Sequence, residues 1–291
     1  MKKLAMISVC VSFLLSFSFS AMAKAKVGPA TWTVPGDFAT IQEAIDSDEV
    51  SDGDTIRVRP GSHAGAYVTK SVEIKGEGNA LIDDGPLHTS SGLIMGFRLM
   101  AGSDGATISH LGFTVDLAIM NGDAVDNVTV DHCTFTNTIQ AVSNWRGTGW
   151  QISHNVINDL RTRNGGGIGI LIADYTGGIV TDNVVSHNTI SGTLNVDPDD
   201  CGGYSGSGIV IYADFRWGRL GAEELAYNRV VKNKISLVSD APGLVDVVAF
   251  ELSDTRDDPV GTCDIIHDNA VGFNDFRGTD IQIALLRRIH G

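Results

Sequence analysis

Positive charge is scarce in this chain. It has 21 Lys and Arg against 35 Asp and Glu, a formal net charge of −14. Nucleic acid needs a basic footprint on its partner, so that class is excluded, and anionic membrane surfaces are disfavoured. Acidic character suits solubility, cation binding or a neutral partner; an anionic polysaccharide would require local basic residues or bridging calcium. Cysteine is equally sparse, at four residues. No C-x-x-C or His–Cys spacing appears, so no thiolate metal site is expected. Cys201 and Cys263 sit in polar, aspartate-rich insertions and are the candidates for one disulfide in an oxidising compartment, whereas Cys133 lies in a regular strand phrase and reads as a buried thiol. Long apolar runs are confined to the N-terminus. Lys2 and Lys3, the apolar stretch from Leu4 to Phe19 and Ala21-Met22-Ala23 read as a signal peptide over 1–23. The run is short for a membrane span and lacks a stop-transfer flank. A secreted or periplasmic product, 24–291, is expected, as one elongated domain.

Helix signals are few, and what replaces them is repetition. "ISHLGF" at 108–113 recurs as "VDHCTF" at 130–135, "ISHNVI" at 152–157, "VSHNTI" at 185–190 and "VVKNKI" at 230–235, with a degraded copy, "IIHDNA", at 265–270. The first three are 22 residues apart; the later gaps of 33, 45 and 35 are a lengthened 22. Each copy reads as two short strands joined by a tight bend. Asn tolerates the left-handed backbone of such bends, and its amide can bond to the same amide one layer away. Units this small bury an apolar face only by stacking, about 4.8 Å per layer. The pattern predicts an all-β fold, a right-handed parallel β-helix.

The mature start agrees. In "WTVPGDFATIQEAID", Thr40-Ile41-Gln42-Glu43 is a capping box, and Ile41, Ala44 and Ile45 give a short helix one apolar face to close the first coil. This opening, followed by "GDTIRVRPG", "VEIKGEG" and the repeats, resembles the pectin-lyase-like parallel β-helix superfamily. The resemblance implies secreted lyases, hydrolases, esterases or epimerases of polysaccharides, or accessory proteins such as the NosD-like group. The signatures of pectin methylesterases, polygalacturonases and alginate epimerases are absent, so fold narrows function only loosely.

If each copy supplies the second and third strands of a coil, the first strand lies between copies, as "IQAVSN", "GILIAD", "GIVIYAD" and "VVAFELSD". Four similar phrases end these strands: "SNWRG", "ADYTG", "ADFRWG" and "SDTRD". Asn144, Asp174, Asp214 and Asp254 are therefore expected to stack, flanked by Trp145, Tyr175 and Phe215, with Arg146, Arg216 and Arg256 next. "GILIAD" and "GIVIYAD" differ by one residue, which leaves the register open by one position. Such a ladder is either a row of surface ion pairs or a site. The resemblance implies chemistry on this edge. Asp174, Asp214, Asp254, Glu251, Arg216 and Arg256 are the catalytic candidates. Asn144, Trp145, Arg146, Tyr175, Phe215, Trp217 and Tyr204 are the substrate-binding candidates. Carboxylates one layer apart approach the ~5–5.5 Å of retaining glycosidases, and two layers apart the ~9.5 Å limit of inverting ones. Elimination would need calcium or Arg on a uronate and an arginine base, which is poor chemistry without a strongly lowered pKa. Glu251 points to the groove if Phe250 and Leu252 point inward.

A second column joins His110, His132, His154 and His187, with Lys232 and His267 beyond. Metal is set aside here, because imidazoles about 4.8 Å apart do not converge as zinc requires. Insertions at 193–207, 214–226 and 254–262 flank one edge, where solenoids build binding surfaces. If calcium is the cofactor, Asp199, Asp200, Asp257 and Asp258 are its candidates, beside Asp197. The expectation is a protein acting on or binding a polysaccharide or oligosaccharide, by lyase or hydrolase chemistry. The alternatives are a non-catalytic binder and a structural, self-associating β-helix. The oligomeric state is left open.

Overall fold

A computed structural model describes residues 28–163, 166–201, 206–255 and 262–285. The leader, Tyr204, Arg256, Asp257 and Asp258 lie outside the described residues, as does the side chain of Cys263 with its expected disulfide.

The strands of each long sheet pair in parallel, and the chain visits three sheets in turn. The first sheet has eight strands, from Ala66–Val68 to Ile281–Leu285; the second has nine, from Thr31–Val34 to Ala270–Gly272; the third has seven, from Gly61–Ala64 to Lys234–Ser239. This visiting order is that of a parallel β-solenoid. The four "first strands" expected from the sequence are Gln140–Trp145, Ile168–Asp174, Ser207–Ala213 and Val248–Asp254, successive neighbours in the first sheet.

The core explains the winding. Inward residues of every sheet enter one apolar cluster, with Ile108, Val130, Ile152, Val185 and Val230 stacking along the second sheet. Phe113 and Phe135 stack at 5.0 Å in the third. Bends between second and third strands fall on His110, His132, His154, His187 and Lys232, all with positive φ. After the last three of these bends an Asn turns inward, where the first two have Leu111 and Cys133. The backbone N–H of Asn155 donates to Asn188 Oδ1, that of Asn188 to Asn233, and that of Asn233 to Asn274, at 2.8–3.0 Å. Each side-chain amide also donates to the next Oδ1 and to a backbone carbonyl. A second ladder, Asn183–Asn228–Asn269, lines the other corner of the second sheet. Donors and acceptors that burial would otherwise orphan are thus satisfied layer by layer.

Two expectations need correction. The last in-phase copy is not "IIHDNA" but "VGFNDF" at 271–276, since Val271 pairs with Val230 and Asn274 continues the ladder of Asn233. His267 accordingly leaves the histidine column and faces Glu224 and Asp268. Nor is all of the 214–226 insertion a loop. Thr176–Thr181, Gly221–Ala226 and Ile266–His267 form a fourth, three-stranded sheet inserted after the first.

The helix Ile41–Asp46 follows its capping box: Thr40 Oγ1 accepts from the N–H of Glu43, and Glu43 accepts from the N–H of Ala39. Ile41, Ala44 and Ile45 are buried in the common core. No helix among the described residues is long and apolar enough to cross a membrane.

Candidate functional site

The register of the first sheet decides which predicted residues meet. Asn144 pairs with Ile172, and Trp145 with Ala173. Asp174 pairs with Ala213, and Ala213 with Asp254. The expected Asn144–Asp174–Asp214–Asp254 ladder therefore does not form: Asn144 lies two residues short of the Asp174 rung and Asp214 one beyond it. The extra residue of "GIVIYAD" accounts for the second offset.

Each polar residue has its own local task. Asn144 is buried; its amide clasps Gly147 through N–H and carbonyl and donates to Asn183 at 3.1 Å. It closes a corner and offers nothing to a ligand. Asp174 is buried as well. One carboxylate oxygen accepts from the N–H groups of Tyr175 and Thr176 and from the Thr176 hydroxyl, at 2.7–2.9 Å; the other accepts from the N–H of Gly178. That is an Asx-type turn, with the carboxylate enclosed by donors from the next four residues. Asp254 is buried on the same rung as Asp174, two layers away.

Glu251 meets its parity condition and still misses a groove. Phe250 and Leu252 align with the core residues Ile209 and Ile211, so Glu251 faces outward beside Val210. That outer face is itself buried: Ile168, Leu171, Ala173, Val210 and Tyr212 form a second apolar cluster against Trp145. Glu251 is buried there and accepts from the Ser207 hydroxyl at 2.8 Å.

Asp214 is the exception that builds something at the surface. Its carboxylate is buried, but it accepts from the backbone N–H and Nε of Arg216 at 3.1 and 2.9 Å, from Arg216 Nη2 at 3.2 Å, and from Arg219 Nη1. Burial alone would raise its pKa; hydrogen bonds and charge from Arg216, then the charge of Arg219, outweigh this and hold it below the ordinary carboxylate range. A carboxylate so held is a fixed anion, not a general acid.

The segment after Asp214 is a tight loop. Gly221 N–H returns to the Asp214 carbonyl at 3.1 Å, and Leu220 N–H reaches the Tyr175 carbonyl. Gly221 has positive φ and lies against the Phe215 ring, where a Cβ would sit 2.1 Å from Cζ. Phe215 is thereby packed against the core rather than presented. Trp217 at the tip takes a left-handed conformation, φ 55°, and is 79% exposed. Arg216 and Arg219 lie 4.5 and 5.1 Å from its ring centre.

Tyr175 joins this cluster from the previous coil. The Arg219 guanidinium lies 5.0 Å, and that of Arg146 5.2 Å, from its ring centre. Trp145 meets Tyr175 edge-on at 5.3 Å and Tyr212 at 6.4 Å. The structure thus unites Trp145, Arg146, Tyr175, Asp214, Arg216 and Trp217, all singled out in the sequence. It adds Tyr212 and Arg219, which were missed. Tyr212 stood inside the quoted strand phrase; Arg219 lay past the repeated motif, where no pattern marked it. Asp197 caps a local turn by accepting from the Asp199 N–H, and neither Asp199 nor Asp200 joins a group of three converging ligating side chains among the described residues.

No family model matches the chain, and no curated protein sequence and no solved structure is similar to it.

Proposed function

We propose that the chain is an exported, right-handed parallel β-helix of the pectin-lyase-like kind, its short helix closing the first coil, and that it binds an acidic polysaccharide without cleaving it. The observation that carries this reading is the loop tip: an indole left 79% exposed between two guanidiniums that one buried carboxylate holds in place. An exposed aromatic face on a rigid loop suits a pyranose ring, and guanidiniums suit uronate carboxylates by bidentate hydrogen bonds. Arg146, Arg216 and Arg219 supply local positive charge on a chain that is otherwise strongly acidic. Binding rather than turnover is favoured because Asp174 and Asp214 already accept hydrogen bonds at both carboxylate oxygens.

The test is affinity electrophoresis through gels containing polyuronates or neutral glucans, with ultraviolet absorbance and reducing-end assays on the same mixtures. Retardation by polyuronate alone, weakened in Trp217→Ala and in Arg219→Ala, supports the reading. Product formation, or mobility unchanged by any polysaccharide, overturns it.

A further inference from the structure

The histidine column gains a different meaning once its neighbours are placed. His110, His132, His154 and His187 stack ring on ring at 5.2, 4.9 and 5.0 Å, with planes within 16° of parallel. Imidazoles so spaced do not converge by themselves. Asp131 changes that. It precedes His132 in the chain, and the parallel register places it beside Ser153, one residue before His154. One of its oxygens is 2.5 Å from His132 Nδ1; the other is 3.0 Å from His154 Nδ1 and accepts from the Ser153 hydroxyl at 2.8 Å.

Two imidazole nitrogens from successive coils therefore face one carboxylate, with all three donor atoms within 4.8 Å of one another. Ligands at about 2.1 Å from a tetrahedral metal are about 3.4 Å apart. The two nitrogen–oxygen contacts run to different oxygens of the carboxylate and are both shorter than this, so an ion entering between them spreads these contacts and draws the two ring nitrogens towards each other. The backbone under each ring is fixed, since His132 and His154 both occupy left-handed bends between paired strands. Their side chains are 52% and 49% exposed and that of Asp131 27%, so an ion has an entry path and open coordination positions.

We infer that Asp131, His132 and His154 form a surface site for a divalent transition-metal ion of the imidazole-preferring class, such as zinc, nickel or copper. Each imidazole turns its Nδ1 lone pair to the metal by carrying its proton on Nε2 instead, and the carboxylate supplies the charge. Ser153 orients that carboxylate, the usual task of an outer partner. His110 and His187 hold the ring planes without touching the ion. The site joins two coils, so it exists only in the folded chain, and metal raises thermal stability by mass action. It stands apart from the Trp217 loop and does not depend on the reading of that loop.

Calorimetric titration of chelator-treated, full-length protein with zinc chloride tests this, alongside thermal melts and histidine-ring NMR. One equivalent is expected to bind, raising the melting temperature and shifting His132 and His154 resonances most. Asp131→Asn is expected to weaken binding by at least the roughly ten- to a hundredfold that losing an outer partner alone costs. His132→Asn and His154→Asn should weaken it at least as much; Asn tolerates the left-handed backbone, so these variants keep the fold. His110→Asn is expected to bind like the parent. Equal loss in His110→Asn would show a column site instead and overturn the assignment. Undiminished binding in the Asp131, His132 and His154 variants would overturn it as well.

Discussion

In the first sheet Asp174 stands opposite Ala213, and Asp214 falls one residue beyond that rung. This offset separates two carboxylates that the chain writes in nearly the same phrase. Asp174 turns into a corner and closes it with four donors from the residues that follow. Asp214 sits past the last paired residue, where it ties down a seven-residue excursion, 214–220, before Gly221 resumes the path. The same chemical group is a turn closure in one coil and an arginine anchor in the next.

Asp214→Asn is therefore expected to loosen the loop and the fold together. The substitution leaves Arg216 and Arg219 without their anion. The loss should be about 2–3 kcal/mol, below the ~3–5 of a fully enclosed pair because both guanidiniums reach solvent. Its pH dependence has a definite sign. The folded pKa of Asp214 lies below the ordinary value of 3.8, so its stabilisation is complete above that value and is lost progressively as pH falls from there through the lower folded value. Urea titrations at a series of acidic pH values should show parent and variant converging at the acid end and separating towards neutrality. Parallel curves across the whole range would contradict the ion-pair account.

Asn188→Ala should weigh on the whole solenoid rather than on one loop. It removes the acceptor for the Asn155 N–H and the donor to the Ile152 carbonyl, both buried. Orphaned groups at about 1–3 kcal/mol each put the loss near ~2–4 kcal/mol. Asn274→Ala, at the half-exposed end of the ladder, should lose only about 1 kcal/mol, because water can replace what it removes. Denaturant midpoints of the two variants check the contrast; equal losses would show that ladder position does not matter.

Cys133 offers a probe of the same layers. Its thiol is buried, and burial, followed by the nearby Asp131 charge, pushes its pKa up to about 12. Thiolate is the reactive form, so Cys133 should resist alkylation in the native protein at about pH 8.5, where a free thiol is half ionised, and should react once denaturant opens the coil. Peptide mapping after iodoacetamide treatment distinguishes the two states. Native labelling of Cys133 would mean that the second and third sheets open locally.

These tests also mark where sequence reasoning reached and where it stopped. The winding was legible because one physical pattern, an inward apolar residue, a left-handed bend and a second inward residue (Leu111, Cys133, then Asn155, Asn188 and Asn233), recurs in each coil from His110 to Lys232. The phase was lost at 265–270 because the fourth sheet inserts Ile266–His267 ahead of the true repeat. Most of the aromatic and basic candidates were legible, since Trp145, Tyr175, Arg216 and Trp217 do meet. The carboxylates were misread because their accessibility depends on a one-residue register and on how each turn closes. Neither is visible until partner strands are aligned. Asp131 escaped attention for a related reason: its partner, His154, is 23 residues away in the chain and in contact only through the register.

Trp217 tests whether the loop was shaped for a ligand or for the fold. A non-glycine residue in the left-handed region is strained by roughly 1–2 kcal/mol, and burial does not repay that at this tip, since the ring is 79% exposed. Glycine removes the strain but adds about 0.5–1 kcal/mol of unfolded-chain entropy. Trp217→Gly should consequently leave stability unchanged or raise it by up to about 1 kcal/mol. The same change removes the aromatic face between Arg216 and Arg219 and should weaken polyuronate binding by roughly tenfold or more, about 1.4 kcal/mol. Melting curves and affinity electrophoresis on one preparation give both quantities. Binding lost at preserved stability is the signature of a residue kept strained for recognition, whereas a stability loss with binding unchanged would reassign Trp217 to the fold.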